Sequence, residues 1–569
     1  MNLIDLYNKW LDKTFDNRSV SEELLSIKDD KNEIFSRFGD SIKFGTAGVR
    51  ALMGAGPNRI NVYTVAQITQ AISKFILDKF VNPSVVISYD TRKNSELFAV
   101  KAVEVFAGNA IKVYIFKEFQ PTPLLSFAVR QLKTSAGIMI TASHNGAQYN
   151  GYKVYDDLGS QIVDVGKICE YFEKIDVFND VKTLGLKDAF SQGAAKFVNE
   201  NLIENYIKKI IDLSQFSFAP HGLNLTYSPL NGCAGKILKE ILKRTGFKNL
   251  NIVKLQEAPD ENFTSCQVPN PEKLEAFEQA FVLAKTQNSD IIILNDPDGD
   301  RLGVAVPFNG SYQVLSGNTL AALFLFYFIE RGTKKNVLIK SIVSGGLADE
   351  VAKRNKIKII ETLPGFKYVG KQLQELEFKE ASKCFLMGFE ESGGFLFEPY
   401  IRDKDGIHAA CIACEMTAYF KHKRLNLMDI LENLYETYGF YSELTLSCEV
   451  VDSKRIAKVE KVMKILKDKY SFGTLKVLVV CDYRSSTHHD LIKNIKNKID
   501  LPISDVLSFE LSGGNRLIVR PSGTEPLIKF YILANGKTKF ESESRVNSIK
   551  ESVICYLKDT KSLNWPVKT

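Results

Sequence analysis

GIMITASHNGAQYNGYK, residues 137 to 153, runs from a short apolar segment (Gly137 to Ile140) into a polar loop. That loop sets Ser143 beside His144 and is closed by Asn150-Gly151. IIILNDPDGDR, residues 291 to 301, has the same build: an apolar run of the buried-strand kind delivers Asp296, Asp298 and Asp300 in alternation. In both places a strand gives way to a polar loop, which is where open α/β sheets bind ligands.

Working outward from these stretches, helical and strand patterns alternate. Val65, Ile68, Ile72 and Ile76 recur at helical spacing, Val85 to Tyr89 is a β-rich run after Pro83, and Ile111 to Phe116 follows another helical segment. The alternation recurs with strands at Leu223 to Tyr227, Asn251 to Leu255 and Ile291 to Leu294, and helices around Gly235 to Thr245 and from Pro271. A third unit has helices from Asn318 and Gly346 and strands at Asn336 to Lys340, Lys358 to Glu361 and Phe385 to Met387. The remainder reads as α+β: β-rich Leu444 to Val451, a Lys-rich helix from Ser453 to Lys469, and β-rich Arg516 to Arg520. The predicted division is 1–205, 206–312, 313–438 and 439–569, with no fixed-period repeat and no low-complexity linker.

Bulk properties narrow the class. Of 569 residues 45% are hydrophobic and 25% charged, an ordinary globular balance. The net charge of +7 comes from 74 basic against 67 acidic residues spread along the chain. That excludes a nucleic-acid footprint and suits anionic small molecules. The first residues, interrupted by Asp5, Asn8 and Lys9, lack a signal-peptide apolar region, and the longest apolar run, Leu320 to Ile329, is roughly half a bilayer span. A cytoplasmic protein with no membrane partner is expected. Nine scattered cysteines form no secreted disulfide framework, and the Cys411/Cys414 pair sits in a stretch that reads as a buried helix.

The two loops carry chemistry. A serine hydroxyl needs activation, and His144 cannot easily swing onto its own neighbour as a triad histidine does; the surroundings are not GxSxG. Lys153, beyond the Asn-Gly turn, can return to the same pocket as a general acid or base if its pKa is lowered. A Ser-His dipeptide in a turn is, by itself, more often structural. Asp296, Asp298 and Asp300 can converge on one hard cation. An EF-hand is excluded, because its sixth position would be Arg301 and its twelfth Pro307. Mg²⁺ is favoured over Ca²⁺, since three ligands leave room for a phosphate oxygen. Two further segments are suggestive. GFEESGG, 388 to 394, offers Glu390 and Ser392 to sugar hydroxyls. RPSGTEPLIK, 520 to 529, offers an Arg520 fork with Ser522, Gly523 and Thr524 as a phosphate cradle, without the ending of a P-loop.

Taken in order, TASHN, DPDGDR, GFEESGG and RPSGTEP resemble the four signature loops of the α-D-phosphohexomutase superfamily, the phosphoglucomutases and phosphomannomutases. FGTAGVR (44–50), YDTRKNS (89–95), PTPLL (121–125) and PGFKYVG (364–370) are similar to further family segments, and NGYKVY with GFKYVG is most similar to the phosphoglucomutase-2/phosphopentomutase type branch. Gly146 stands where many relatives have proline, which loosens the loop, and SPLNG at 228–232 replaces a His-Gly pair. The resemblance implies a four-domain phosphohexomutase architecture around a central cleft, with three related α/β domains and a C-terminal α+β domain like the TATA-box-binding protein. It implies a phosphoserine at Ser143, with Arg50, Lys153 and His144 beside it and Arg301 near the transferring group. Mg²⁺ would sit on Asp296, Asp298, Asp300 and the Ser143 oxygen. Lys367, Glu390 and Ser392 would hold the sugar, and Arg520, Ser522, Gly523 and Thr524 its non-reacting phosphate. The implied activity interconverts sugar 1- and 6-phosphates (glucose, mannose) or pentose 1- and 5-phosphates through a sugar 1,6-bisphosphate, in a monomer or homodimer. A sugar bisphosphate synthase, a metal-dependent phosphatase and a catalytically silent phosphosugar-binding protein are the alternatives.

Overall fold

In the computed structural model, which describes residues 2–45, 48–214, 222–450, 455–521, 527–558 and 563–564, the apolar run before Asp90 forms strand Ser84–Tyr89 inside a six-stranded sheet. Strand order is Gly48–Leu52, Tyr149–Tyr155, Ala136–Ile140, Ser84–Tyr89, Lys112–Ile115, Ala195–Phe197. The last four run parallel, and the first two close the sheet antiparallel. Ala136–Ile140 is buried at every position, as a strand covered on both faces must be. Helix Val62–Leu77 packs against it from a capping box in which Asn61 and Thr64 exchange side-chain bonds to backbone N–H groups. Ahead of the sheet, helices Leu3–Lys13, Arg18–Ser26 and Lys31–Phe38 bury Tyr7, Trp10, Leu24 and Phe38 in a small core of their own.

A second sheet has the order Ser311–Leu315, Leu302–Phe308, Ile291–Asn295, Asn224–Ser228, Asn249–Ile252. Its strand Ile291–Asn295 is parallel to Asn224–Ser228 and antiparallel to Leu302–Phe308. The aspartate loop is therefore a hairpin connection leaving a buried parallel strand, as the serine loop is between Ala136–Ile140 and Tyr149–Tyr155. These two sheets, with helix Gly406–His422, lie in one compact unit comprising Met1–Ser316, Val369–Ser382 and Ser392–Lys423.

The second unit comprises Gly317–Tyr368, Lys383–Glu391 and Arg424–Thr569. It contains the parallel strands Lys358–Thr362, Val337–Ser341 and Phe385–Glu390, paired in that order. It also holds an antiparallel sheet running from Ile495–Lys498 through Thr487–Asp490, Leu475–Asp482, Leu507–Leu511, Asn515–Pro521, Leu527–Gly536 and Phe440–Val450 to Leu563–Asn564. Helices Arg455–Lys467 and Lys539–Leu557 pack on one another and share that sheet's core. The expected plan of three α/β sheets and one α+β sheet is present.

Several local expectations need correction. Asn150-Gly151 does not make a turn: both residues lie within strand Tyr149–Tyr155. Gly151 is there for space, since a Cβ would lie 2.4 Å from Thr141 O and 2.7 Å from Val49 O. The strand expected at Asn251 to Leu255 is Asn249–Ile252, followed by a short helix Lys254–Glu257. The helix expected from Pro271 begins as a 3₁₀ turn, Leu274–Phe277, before Glu278–Gln287. Cys411 and Cys414 are buried in helix Gly406–His422, as expected. Among the described residues no helix is long and apolar enough to cross a membrane.

Candidate functional site

Ser143 leaves strand Ala136–Ile140 in a left-handed backbone conformation (φ 55°), a region that a non-glycine residue occupies only under constraint. Its N–H donates to Thr141 Oγ1 at 2.8 Å, and its hydroxyl, buried with the residue 1% exposed, donates to Asp296 Oδ2 at 2.9 Å. His144 Nδ1 lies 3.3 Å from the same Oγ. The ring therefore reaches its own neighbour after all, because the left-handed turn at Ser143 folds the two side chains together. Burial, with the guanidiniums of Arg301 and Arg50, pushes His144 well below the ordinary imidazole value, so it is neutral at pH 7. Arg50, exposed on strand Gly48–Leu52, donates to Asn145 Oδ1 at 3.3 Å.

The aspartate loop is buried with Asp296, Asp298 and Asp300 each at most 1% exposed. Pro297 and Gly299 shape it, and Gly299 takes a φ of 70°. Lys153, on strand Tyr149–Tyr155, donates to Asp298 Oδ2 at 2.7 Å and Asp300 Oδ2 at 3.2 Å. Thr122 Oγ1 donates to Asp298 Oδ2 at 2.9 Å, and Lys404 Nζ lies 3.1 Å from Asp300 Oδ2. The Arg301 backbone N–H donates to Asp296 Oδ1 at 2.9 Å. The Arg301 guanidinium pairs with Glu272 at 2.9 Å and donates to the Ser392 carbonyl at 3.3 Å.

Electrostatics set the charge of each group in the cluster. Burial alone would lower the Lys153 pKa, but Asp298 and Asp300 outweigh it and raise it. With both carboxylates beside it, Lys153 carries its proton at neutral pH. Asp296 is lifted well above the carboxylate range by burial and by its two like-charged neighbours. Asp298 and Asp300 are pulled the other way: Lys153 overcomes burial at Asp298, and Lys404, Lys153 and Arg301 overcome it at Asp300. One oxygen from each aspartate falls within 4.8 Å of the others. No hydrogen-bond donor among the described residues reaches the buried Asp298 Oδ1 or Asp300 Oδ1. Two carboxylate oxygens that accept no hydrogen bond, one of them 3.9 Å from Arg301 Nε, form beside a third carboxylate an all-oxygen donor set that fits a hard divalent cation.

In the second unit, Lys367 opens helix Phe366–Phe378, its ammonium 5.2 Å from the ring centroid of Tyr368. Glu390 closes strand Phe385–Glu390, where its Oε1 accepts the Gly365 N–H at 2.8 Å. Arg520 lies on strand Asn515–Pro521 opposite Lys529 and is hydrogen-bonded to Tyr531, which Glu391 and Glu390 also face. Ser522, Gly523 and Thr524 lie outside the described residues.

Sequence reasoning missed Thr122, Lys404 and Arg92. Thr122 and Arg92 stood inside PTPLL and YDTRKNS, where a polar residue between apolar strand and helix was the available signal. Lys404 follows Asp403 just before the Asp405 cap of helix Gly406–His422. It reads as a solvated loop charge until the fold buries it.

Comparison with known proteins places the geometry in context. Models of the phosphoglucomutase/phosphomannomutase family match in chain order: alpha/beta/alpha domain I at residues 41–177, domain II at 204–308, domain III at 316–438 and the C-terminal domain at 446–543. A phosphoglucomutase of Staphylococcus haemolyticus is 35% identical over 505 residues, covering 88% of this chain and 91% of that protein. One of Staphylococcus aureus (strain MRSA252) is 34% identical over 506 residues, covering 87% and 90%. Among solved structures, parafusin from Paramecium, a phosphoglucomutase in its open form, superposes with a TM-score of 0.69 at 18% identity, covering 93% of this chain and 98% of that one. A phosphoglucomutase/phosphomannomutase family protein from Burkholderia thailandensis gives 0.67 at 19%, covering 92% and 98%. At such identities the structural likeness speaks for the fold.

Proposed function

The chain belongs to the phosphoglucomutase/phosphomannomutase family, and we propose that it is a sugar-phosphate mutase working through phosphorylated Ser143. The observation that carries this reading is the Ser143 hydroxyl buried 2.9 Å from Asp296, in one cluster with Asp298, Asp300 and Lys153.

Phosphorylated Ser143 gives its phosphoryl group to a free hydroxyl of a sugar monophosphate. The serine oxygen–phosphorus bond breaks as the sugar oxygen–phosphorus bond forms; the sugar hydroxyl gives up its proton and the departing serine oxygen takes one up. The resulting sugar 1,6-bisphosphate turns over and returns its other phosphate to Ser143. In that return step neutral His144, 3.3 Å from Ser143 Oγ, is the group placed to take the serine proton. The Lys153 ammonium is placed for the charge that develops on the phosphoryl oxygens, and Arg50 and Arg301 supplement it. Asp296, Asp298, Asp300 and the serine oxygen would hold Mg²⁺, which when bound supplies Lewis-acid neutralisation of the phosphoryl group.

Lys367, Glu390 and Ser392 serve the sugar, and Arg520 with Ser522, Gly523 and Thr524 serves the non-reacting phosphate. The domains are 1–205, 206–312, 313–438 and 439–569, and the enzyme acts on small phosphosugars in the cytoplasm. Glucose, mannose and pentose phosphates are the candidate substrates.

Phosphorus NMR tests this with Mg²⁺, a trace of glucose 1,6-bisphosphate, and glucose 1-, mannose 1- and ribose 1-phosphates offered separately. Conversion to the 6- or 5-phosphate supports the mutase. Release of inorganic phosphate alone, or accumulation of bisphosphate alone, overturns it in favour of a phosphatase or a bisphosphate synthase.

A further inference from the structure

Arg92 is buried at 3% exposure and no role in the proposed chemistry uses it. Its guanidinium points into the loop that carries Ser143. Nη2 donates to the carbonyls of Ser143 and Asn145, and Nη1 donates to those of Gly146 at 2.9 Å and Tyr149 at 3.3 Å. Nε forms an ion pair with Asp90 Oδ2 at 3.2 Å without hydrogen-bond alignment, and the Arg92 backbone N–H donates to Asp90 Oδ1 at 3.0 Å. The ring of Phe263, itself fully buried, lies 4.9 Å from the guanidinium carbon. One side chain thus collects four carbonyls from a seven-residue turn, while a carboxylate and an aromatic face hold the collector still.

The loop needs such a device. Ser143 sits at φ 55°, where a side chain costs energy unless its surroundings over-determine it. Gly146, three residues on, adds backbone freedom instead of removing it. A planar five-donor fork can serve four acceptors in one plane and a lysine ammonium cannot.

We propose that Arg92 is the positioning residue of the nucleophile: by gathering the carbonyls of residues 143, 145, 146 and 149 it fixes the Ser143 oxygen against Asp296 in the aspartate cluster. It touches no reacting atom and acts through Ser143. The inference rests on the phosphoserine reading above.

The test compares Arg92→Lys with wild type on glucose 1-phosphate with glucose 1,6-bisphosphate, alongside calorimetric titration of Mg²⁺ into both unphosphorylated proteins. The expected result is a kcat lower by about 100-fold with KM changed by less than about threefold, because misplacing a reacting atom by an ångström costs about that much. Mg²⁺ binding weakens by about tenfold, as for loss of a group that orients a ligand. A merely structural arginine would lower the active fraction while leaving kcat per phosphorylatable site and Mg²⁺ affinity unchanged, and that result overturns the proposal. If Arg92→Lys does not fold, Phe263→Leu carries the test, since it frees the guanidinium while leaving its donors intact. The same split is expected at about tenfold in kcat, and wild-type kinetics with wild-type Mg²⁺ affinity overturns the proposal. Wild type inactive on every sugar phosphate would instead mean that the mutase reading has failed.

Discussion

Replacing Lys153 by methionine removes one ammonium and keeps most of its volume. That ammonium lies 2.7 Å from Asp298 and 3.2 Å from Asp300, with the carboxylates 0% and 1% exposed. Lys404 reaches Asp300, whereas Asp298 is left buried with the Thr122 hydroxyl as a donor among the described residues. Breaking one side of a buried pair costs about 3–5 kcal/mol. The raised Lys153 pKa sets the window: the contribution is complete below the ordinary lysine value of 10.5 and disappears only as pH climbs through the higher folded value. At pH 7 the full loss is expected.

Mg²⁺ should compensate, because a cation on the aspartates replaces the missing charge. A hundredfold excess over its dissociation constant returns about 2.7 kcal/mol. Calorimetric melting of Lys153→Met in chelator and in Mg²⁺ measures both quantities. The first unit should melt several degrees lower in chelator and recover more with Mg²⁺ than wild type does. Equal melting in chelator, or no extra recovery with Mg²⁺, refutes the electrostatic reasoning.

Three further outcomes are expected. Asp298→Asn should raise the Mg²⁺ needed for half-maximal turnover by on the order of tenfold and lower kcat as well, because it removes a donor oxygen from the cluster; an unchanged metal titration takes Asp298 out of the site. Arg520→Ala should raise the KM for the sugar phosphate by about 10- to 100-fold through loss of charge-assisted bonds to the distal phosphate, with the substrate-saturation curve as the check. Although burial opposes it, Lys340 and Arg516 hold Glu361 down to about 2, so its contribution to the second unit is present above the ordinary 4.5 and is lost as pH falls toward 2. Glu361→Gln should therefore flatten the acid-unfolding curve followed by circular dichroism and move its midpoint up in pH, and superimposable curves would contradict this.

The parts of the site legible in the sequence were those where chemistry and local pattern coincide. Ser143 and the three aspartates follow apolar strands directly, and strands buried on both faces announce themselves as continuous apolar runs. Lys153 was legible as a neighbour, but its state was not: acid or base work was conditional on a lowered pKa, and the approach of Asp298 and Asp300 across the fold raises it instead. Gly151 read as a turn residue because Asn-Gly is a turn signal, whereas the glycine answers to the carbonyls of Thr141 and Val49. Thr122, Lys404 and Arg92 owe their positions to contacts between distant segments, which no local periodicity encodes. Lys404 is the clearest case, since its partner Asp300 lies in another sheet's loop. The three N-terminal helices are amphipathic at ordinary spacing, but their small core closes on Tyr63 and Phe178, partners that a linear reading does not supply.

The central claim is that Ser143 carries the phosphate, and the direct measurement is isotope transfer. The protein is incubated with glucose 1,6-bisphosphate whose phosphoryl groups carry heavy-isotope oxygen, digested, and its peptides analysed by mass spectrometry. A second portion is chased with unlabelled glucose 1-phosphate before digestion. The account predicts label on the peptide containing Ser143, absent from Ser143→Ala, and moved by the chase into sugar phosphate. Label on a different residue, no label at all, or label appearing only as inorganic phosphate would contradict it.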